Sequence, residues 1–571
     1  MRAIVIPAVD AKMTVPSWKD DQTARARAAA DVRAMFHHAY DNYMTHAFPH
    51  DELKPLSRTW TDSLGELGNL DMKHLPEDYE GVALTLIDAT STLAVLGNRT
   101  EFARNVRWME RNLDFDIDVR VNAFECNIRV LAGLLSAHVI ALGDGGRAGE
   151  GAARKRPSWF GKGRGSGPSA PSFDALDLGE RLLKAFDTKT GMPYAWVNLR
   201  HGVRPGETNE TNVAAVGSFI LEFGLLSRLT GDGRFERAAR GAIRSMWSIR
   251  GDRDLLGNTL DVQRGTWVVR SGGIGAGCDS FFEYLIKAYV MFGDDEYYRM
   301  FSDAYVAVMR YYHDDGWYHE AHLNTGVATH VQATSLQAFW PGMQTLIGDL
   351  EAARATHARF GSVWDKYGVF PERFMYREQH LHPTEKHYPL RPEHAESTAM
   401  LYMATRDDSF RTVGARLHAD ITRHTRVPGG HASVRDVSTK ALEDHQHSFF
   451  LAETCKYLYL LFDDSFMDGR NLVFSTEGHP LPVLAWQNQE DKEDSGDASK
   501  SSWVSDGKSR YNGGGEVFDA EEEDVIGKDS DCHVLDLKES HRCVDDGDCG
   551  VDAQTCSPRK CSEHKFCFTA P

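Results

Sequence analysis

The chain has 571 residues, 42% of them hydrophobic, and 83 Asp and Glu outweigh 64 Lys and Arg to give a net charge of −19. A nucleic-acid groove runs on clustered positive charge, so nucleic acid is not an expected partner. No run of about eighteen or more consecutive apolar residues occurs, so no transmembrane span is expected.

The first sixteen or so residues, MRAIVIPAVDAKMTVP, hold a short apolar run broken by Pro7 and ended by Asp10, which does not read as a secretory signal. Residues 1–23 are therefore expected to be a flexible leader. From 24 to 486 helical periodicity recurs between short loops rich in Gly and Pro, the pattern of stacked helical hairpins in one large domain. Asn98 in N-R-T and Asn209 in N-E-T are glycosylation sequons. In FECNIRVLAGLLSAH, Phe124, Ile128, Leu131, Leu135 and Val139 recur at three- and four-residue steps and predict an amphipathic helix. The segment 143–171 is Gly-, Ser- and Arg-rich without periodicity and is expected to be a disordered surface insertion. GGIGAG at 272–277 mimics a phosphate loop but sits in no βαβ unit; it reads as a tight turn leading to Asp279. His319 and His322 in YHEAH lack the i, i+4 spacing of a zinc protease, and His380, His382 and His387 add no known ligand pattern. Strand-like alternation is scarce, and VFSTEGHPLPVLAW predicts a short hairpin. An acidic linker, 487–530, then leads to a tail, 531–571, with six of the nine cysteines: Cys532, Cys543, Cys549, Cys556, Cys561 and Cys567. Their even number and close spacing favour a disulfide-stapled module, with fifteen possible pairings, over a zinc knuckle. Cys126, Cys278 and Cys455 read as small buried packing residues.

The chemistry is carried by acids planted in apolar helical segments far apart in the chain: Glu125, Asp279, Glu393 in YPLRPEHAESTAMLY, and Glu453 in SFFLAETCKYLYLLF. A carboxylate beside an apolar face loses solvation unless something pairs with it. Arg129 stands four residues after Glu125, whereas Glu283 follows Asp279 by four and Glu396 follows Glu393 by three. An acid one helical turn from an acid is repulsive, so those two pairs need a cation or a network of sugar hydroxyls. The pattern predicts a carboxylate-rich active site.

These segments, with HAFPHDELKPLS, LTLIDATSTLAVLGN, TKTGMPYAWVNLRHGV, VAAVGSFILEFGLLSRLTGD, SLQAFWPGMQTLIGD and VFSTEGHPLP in the same order, cover 31–483. Together they resemble the class I α-1,2-mannosidases, glycoside hydrolase family 47, and within it most closely the ER degradation-enhancing α-mannosidase-like proteins. The resemblance implies an all-α fold, an (α/α)7 barrel of helical hairpins closed by a C-terminal β-hairpin plug. It implies a Ca²⁺ site at Thr476, with Glu393, Glu396, Glu453 and Glu477 holding the calcium waters and lining the sugar subsite; Ca²⁺ accepts six to eight oxygens, water and sugar hydroxyls included. It implies inverting hydrolysis, in which an acid protonates the leaving oxygen and a base activates water on the opposite ring face. Carried over motif by motif, Glu125 is the general acid, Glu393 the general base and Asp279 a third catalytic carboxylate. Arg129 orients Glu125 and touches the sugar, Arg391 lines the pocket, and Phe449 offers an apolar platform. The implied function is trimming of high-mannose N-glycans on misfolded glycoproteins in the endoplasmic reticulum lumen, with a protein disulfide isomerase-type oxidoreductase as a partner. The alternative is a lectin-like adaptor that binds such glycans with little hydrolysis. Two departures stand out. Ser91 replaces an acid in the family's L-I-D-A-L-D-T-L segment, and Ser335 stands where the processing mannosidases carry histidine; the second favours the degradation-enhancing branch.

Overall fold

Helices of two kinds alternate along the chain in the computed structural model, which describes residues 18, 21–69, 75–144 and 173–484. The first kind is buried almost all round. In Leu84–Val95 eleven of the twelve residues are buried, leaving out Ala94; Ala123–Gly143, Val213–Thr230, Asp279–Phe292, Trp340–Leu346, Glu393–Thr405 and 450–460 share this character. The second kind buries one stripe. In Arg234–Ser248 the buried set is Phe235, Ala239, Ala242, Ile243, Met246 and Trp247, three- and four-residue steps with charge on the other face. Each such apolar side chain contributes roughly 1.5–3 kcal/mol on burial.

The two kinds pair as helical hairpins. Gln22–His46 packs on 450–460, Arg99–Asn112 on Leu84–Val95, Phe173–Leu183 on 123–144, and Arg234–Ser248 on Val213–Thr230. Asp295–Tyr311 packs on Asp279–Phe292, Leu350–Tyr367 on Trp340–Leu346, and Ser409–Thr425 on Glu393–Thr405. Consecutive buried helices touch one another around a closed circle, the link from Asp279–Phe292 to Trp340–Leu346 running through Phe282 against Trp340 at 5.8 Å. The result is an (α/α)7 barrel with an inner and an outer ring of seven helices among the described residues. Two inner helices, Ala123–Gly143 and Val213–Thr230, are long and apolar enough to cross a membrane, but most of each is buried inside the barrel, which accounts for their composition.

The connections fold into strands of two to four residues paired as hairpins or three-stranded sheets. These are too short to leave a period-two pattern, so all but the last escaped the sequence reading. That last hairpin pairs Leu472–Phe474 antiparallel with Pro480–Pro482, and Ser136 in the inner helix donates to Pro480 C=O at 2.9 Å. The first helix starts at Gln22, capped by the Asp21 side chain, and Trp18 from the expected leader is buried against Phe462. Apart from Leu484 the described residues belong to one unit, Met1–Val483. The expected linker 487–530, the cysteine tail 531–571 and all of the 143–171 insertion but its first two residues lie outside the described residues.

Candidate active site

Several inner helices begin at one cavity and carry an acid in their first turn: Glu125, Asp279 and Glu393, the last with Glu396 one turn on. The unpaired N–H groups of a helix start favour negative charge there. Asn122 caps the Glu125 helix, its Oδ1 accepting from Glu125 N at 3.1 Å. Asp279 is delivered by Gly277, whose φ of +82° favours glycine and where a Cβ would press on the Asn258 side-chain amide. The expected turn at 272–277 is thus present, with Asp279 N donating to Gly275 C=O at 3.0 Å.

Glu393 is delivered by a strained residue. Leu390 is fully buried with φ +67°, a conformation that costs an L-residue roughly 1–2 kcal/mol. Its carbonyl is tied down by Thr454 Oγ1 at 2.9 Å, next to Glu453. Two inner helices also open into π turns at the cavity, Cys126–Leu131 and Phe450–Thr454, and these turns carry Arg129 and Glu453. Thr92 Oγ1 lies 2.8 and 3.1 Å from the carbonyls of Leu451 and Ala452 in the second of them.

The cavity measures about 320 Å³. Glu125, Asp279 and Glu393 line it, as do Arg129, Arg391, Glu396, Phe449, Glu453, Thr476 and Glu477, so every site residue expected from the sequence meets there. Arg129 is the hub of one side: Nε donates to Glu125 Oε2 at 2.8 Å, Nη1 donates to Glu477, and Asp88 Oδ2 lies 3.9 Å from Nη1. Arg391 makes a two-pronged contact with Glu372, at 2.9 and 3.2 Å, and Glu372 also accepts from Ser335 Oγ at 2.7 Å. Both guanidiniums lie close to the Phe449 ring, Arg129 at 5.5 Å and Arg391 at 5.6 Å from its centre.

The acids of the cavity are crowded and poorly solvated. Burial pushes the Asp279 carboxyl up to about 7 despite the Ser280 N–H it accepts, with Glu283 adding to the rise. Burial pushes Glu393 to about 7 against the pull of Arg391, and Glu396 to about 8 with help from Glu283. Burial also raises Glu453 and Glu477 well above the usual carboxylate range; Glu477 adds to the rise at Glu453, while Arg129 opposes it at Glu477. Glu393 Oε2 is buried without a hydrogen-bond partner.

Residues outside the expected set complete the site. Glu283 lines the cavity and is held by Lys287 one turn on, which answers part of the repulsion expected between Asp279 and Glu283. The i, i+4 spacing of Glu283 and Lys287 was a readable signal for that pair. Tyr284 donates to buried Glu222 at 2.7 Å and accepts from Thr476 N at 3.4 Å, anchoring the hairpin tip. Behind the hairpin Lys456 donates to Ser91 Oγ at 2.9 Å and to Gly478 C=O, while His479 Nε2 meets Asp88 at 3.2 Å. Burial lowers the Lys456 amine to about 7. At Ser91, the departure from the family pattern, the amine thus has a hydroxyl partner. Cys126, Cys278 and Cys455 are buried free thiols.

The sequence profile of Glycosyl hydrolase family 47 matches residues 35–483, the span that holds the whole cavity. The chain belongs to glycosyl hydrolase family 47. Across the family's curated members, it is 50% identical to Alpha-mannosidase I MNS5 of Arabidopsis thaliana over 97% of this chain and 95% of that protein. It is 40% identical to ER degradation-enhancing alpha-mannosidase-like protein 2 of Homo sapiens over 80% and 77%. Its fold superposes on the family's alpha-1,2-mannosidase from Trichoderma reesei with a TM-score of 0.66 at 23% identity, over 80% of this chain and 99% of that one. The chain is a glycosidase of the α-mannosidase type.

Proposed function

We propose that the chain is an inverting α-1,2-mannosidase that trims high-mannose N-glycans of misfolded glycoproteins in the endoplasmic reticulum, as part of their degradation. The observation that carries this reading is the meeting of Glu125, Asp279 and Glu393 in one cavity of about 320 Å³, a volume suited to a sugar unit and its waters rather than to a branched glycan. In this reading Glu125 protonates the leaving oxygen through a water. Arg129 holds the carboxyl in place by its 2.8 Å contact. Glu393 takes the proton from the attacking water, and its unpartnered Oε2 is free to accept it. A group titrating near 7 suits proton transfer near neutrality. Asp279 assists from the same wall, and Phe449 presents an apolar face to the sugar ring.

The oxygen-rich donor set fits calcium: Thr476 hydroxyl and carbonyl would hold it, and the crowded Glu393, Glu396, Glu453 and Glu477 would hold its waters. Bound there, calcium supplies positive charge that offsets the acids and fixes sugar hydroxyls. An oxidoreductase of the protein disulfide isomerase type is the expected partner. Buried Cys126, Cys278 and Cys455 are closed to it, which leaves the six tail cysteines.

Digestion of a defined nine-mannose glycan, in calcium and in chelator, with and without such an oxidoreductase, tests the reading beside Glu125→Gln. Calcium-dependent release of mannose that Glu125→Gln abolishes is the expected result. Calcium-dependent binding with no release under any condition supports the lectin-like adaptor instead.

A further inference from the structure

We propose that Glu52, His445 and His447 form a second metal site, built for a divalent transition-metal ion such as zinc, that braces the chain segment carrying Phe449. The local sequence is D-H-Q-H-S-F at 444–449. In extended chain, residues two apart face the same side, so His445 and His447 share a face and Gln446 takes the other. Gln446 is buried; its N–H donates to Leu53 C=O at 2.9 Å and its Oε1 accepts from His431 N at 2.8 Å. That bridge lays the segment against the strand Glu52–Lys54 and places Glu52 beside both imidazoles. Further stitches hold the pair of segments: Ser448 N donates to Glu52 Oε1, and Leu56 N to Asp444 Oδ1, each at 2.7 Å.

One donor atom from each of the three side chains lies within 4.8 Å of the other two. His445 Nε2 is 2.7 Å and His447 Nδ1 3.9 Å from Glu52 Oε2. Tetrahedral zinc, with bonds of about 2.0–2.1 Å, needs donors roughly 3.3 Å apart, and these gaps bracket that value. A simple ion pair accounts for less. It uses His445 alone, because 3.9 Å leaves His447 outside hydrogen-bond reach of the carboxylate. The two imidazoles stand 3.8 Å apart, ring centre to ring centre, so they do not both carry charge, whereas one dication satisfies all three groups. Two nitrogens and one oxygen suit zinc, in contrast to the all-oxygen cluster around Thr476. Among the described residues no other group brings three such donors together, the histidines of YHEAH included. His447 in turn stacks on Phe449 at 4.9 Å and 9°, and Phe449 faces Arg129 and Arg391, so the ion sits one side chain behind the cavity wall.

The test uses full-length protein, stripped with chelator, re-saturated with calcium and titrated with Co²⁺, and it needs no turnover, so it stands apart from the proposed activity. The expected result is a saturable visible ligand-field spectrum of four-coordinate cobalt, displaced by Zn²⁺. It should vanish in His445→Gln and in His447→Gln and persist in His330→Gln, whose ring meets Glu320 at 2.9 Å. Absence of the spectrum, its survival in both His445→Gln and His447→Gln, or thiolate-to-cobalt bands from the cysteine tail would overturn the site. If a variant unfolds, cobalt-edge X-ray absorption of the unaltered protein decides: mixed imidazole and carboxylate ligation supports the site, and all-oxygen or sulfur ligation rejects it.

Discussion

On one side of the cavity Glu125, Glu477 and Asp88 gather around Arg129; on the other, Asp279, Glu393, Glu396 and Glu453 face a space whose nearest cations are already engaged. Lys287 is paired with Glu283, and Arg391 with Glu372. Each side has carboxylates at the starts of buried helices, Glu125 on the first and Asp279 and Glu393 on the second, yet the first has a guanidinium at its centre and the second carries surplus negative charge. The first side therefore holds the architecture together. The second is costly to fold and gains its use when a ligand, a proton or a cation arrives.

Removing one acid from each side should give the largest effects and separate the two sides. Glu125→Gln and Glu393→Gln are each expected to lower mannose release by about 10²–10⁴-fold, the usual worth of a general acid or base. Their stabilities should diverge. Glu393→Gln removes a buried, repelled carboxyl and should raise the melting temperature of calcium-free protein, whereas Glu125→Gln weakens a contact to Arg129 and should lower it. If both variants shift the melting temperature in the same direction, the two sides are not different.

Arg129→Met addresses the balanced side directly. It leaves Glu125, Glu477 and Asp88 without their shared cation, and loss of one partner from a buried ion pair costs about 3–5 kcal/mol. Urea unfolding measures it. A loss below about 1 kcal/mol would mean that the guanidinium contributes no more than a surface pair.

Acidity and calcium sharpen the account of the other side. Asp279 and Glu393 are raised to about 7 and Glu396 to about 8, while the unfolded chain releases these protons near pH 4. Between those limits the folded chain holds more protons than the unfolded one, so stability falls as pH rises from about 5 to about 8. Calcium bound as proposed would compete with those protons, so the rise in melting temperature on adding calcium should be larger at about pH 8 than at about pH 5.5. Calorimetry with calcium and with chelator reads the increment, and one independent of pH would contradict the surplus charge.

What was legible from sequence was local. Glu125 with Arg129, Asp279 after its glycine turn, Glu393 with Glu396, and the Thr476 hairpin each sit in a contiguous string, so spacing and motif were enough to single them out, and the fold brings them to one cavity. The partners that hold them were not legible, because they come from far along the chain. Thr92 reaches the π turn 359 residues away and Ser91 meets His479 across 388. The π turns themselves leave no mark on a three-and-four periodicity, and neither does the left-handed Leu390. Glu52 lay unremarked inside HAFPHDELKPLS because its histidines are supplied some 393 residues later.

The smallest effect tests how far the engaged cations matter to the side that carries Asp279 and Glu393. Ser335 donates to Glu372 at 2.7 Å through its hydroxyl, and its backbone N–H donates to the Glu372 carbonyl at 3.0 Å. Ser335→Ala removes only the first bond, at a cost of about 0.5–1.5 kcal/mol in stability. Glu372 keeps both prongs to Arg391, so Arg391 should stay in place beside Phe449 and mannose release should change only a few-fold. Glu372→Gln is the contrast, because it discards the negative charge that holds Arg391 and frees the guanidinium to pair with Glu393 instead. That pairing would lower the Glu393 carboxyl and move the acidic limb of the rate profile to lower pH. The same displacement in Ser335→Ala would show that the serine hydroxyl governs the charge state of Glu393 through Glu372; an unmoved profile in both variants would show that Arg391 is held by the cavity wall rather than by Glu372.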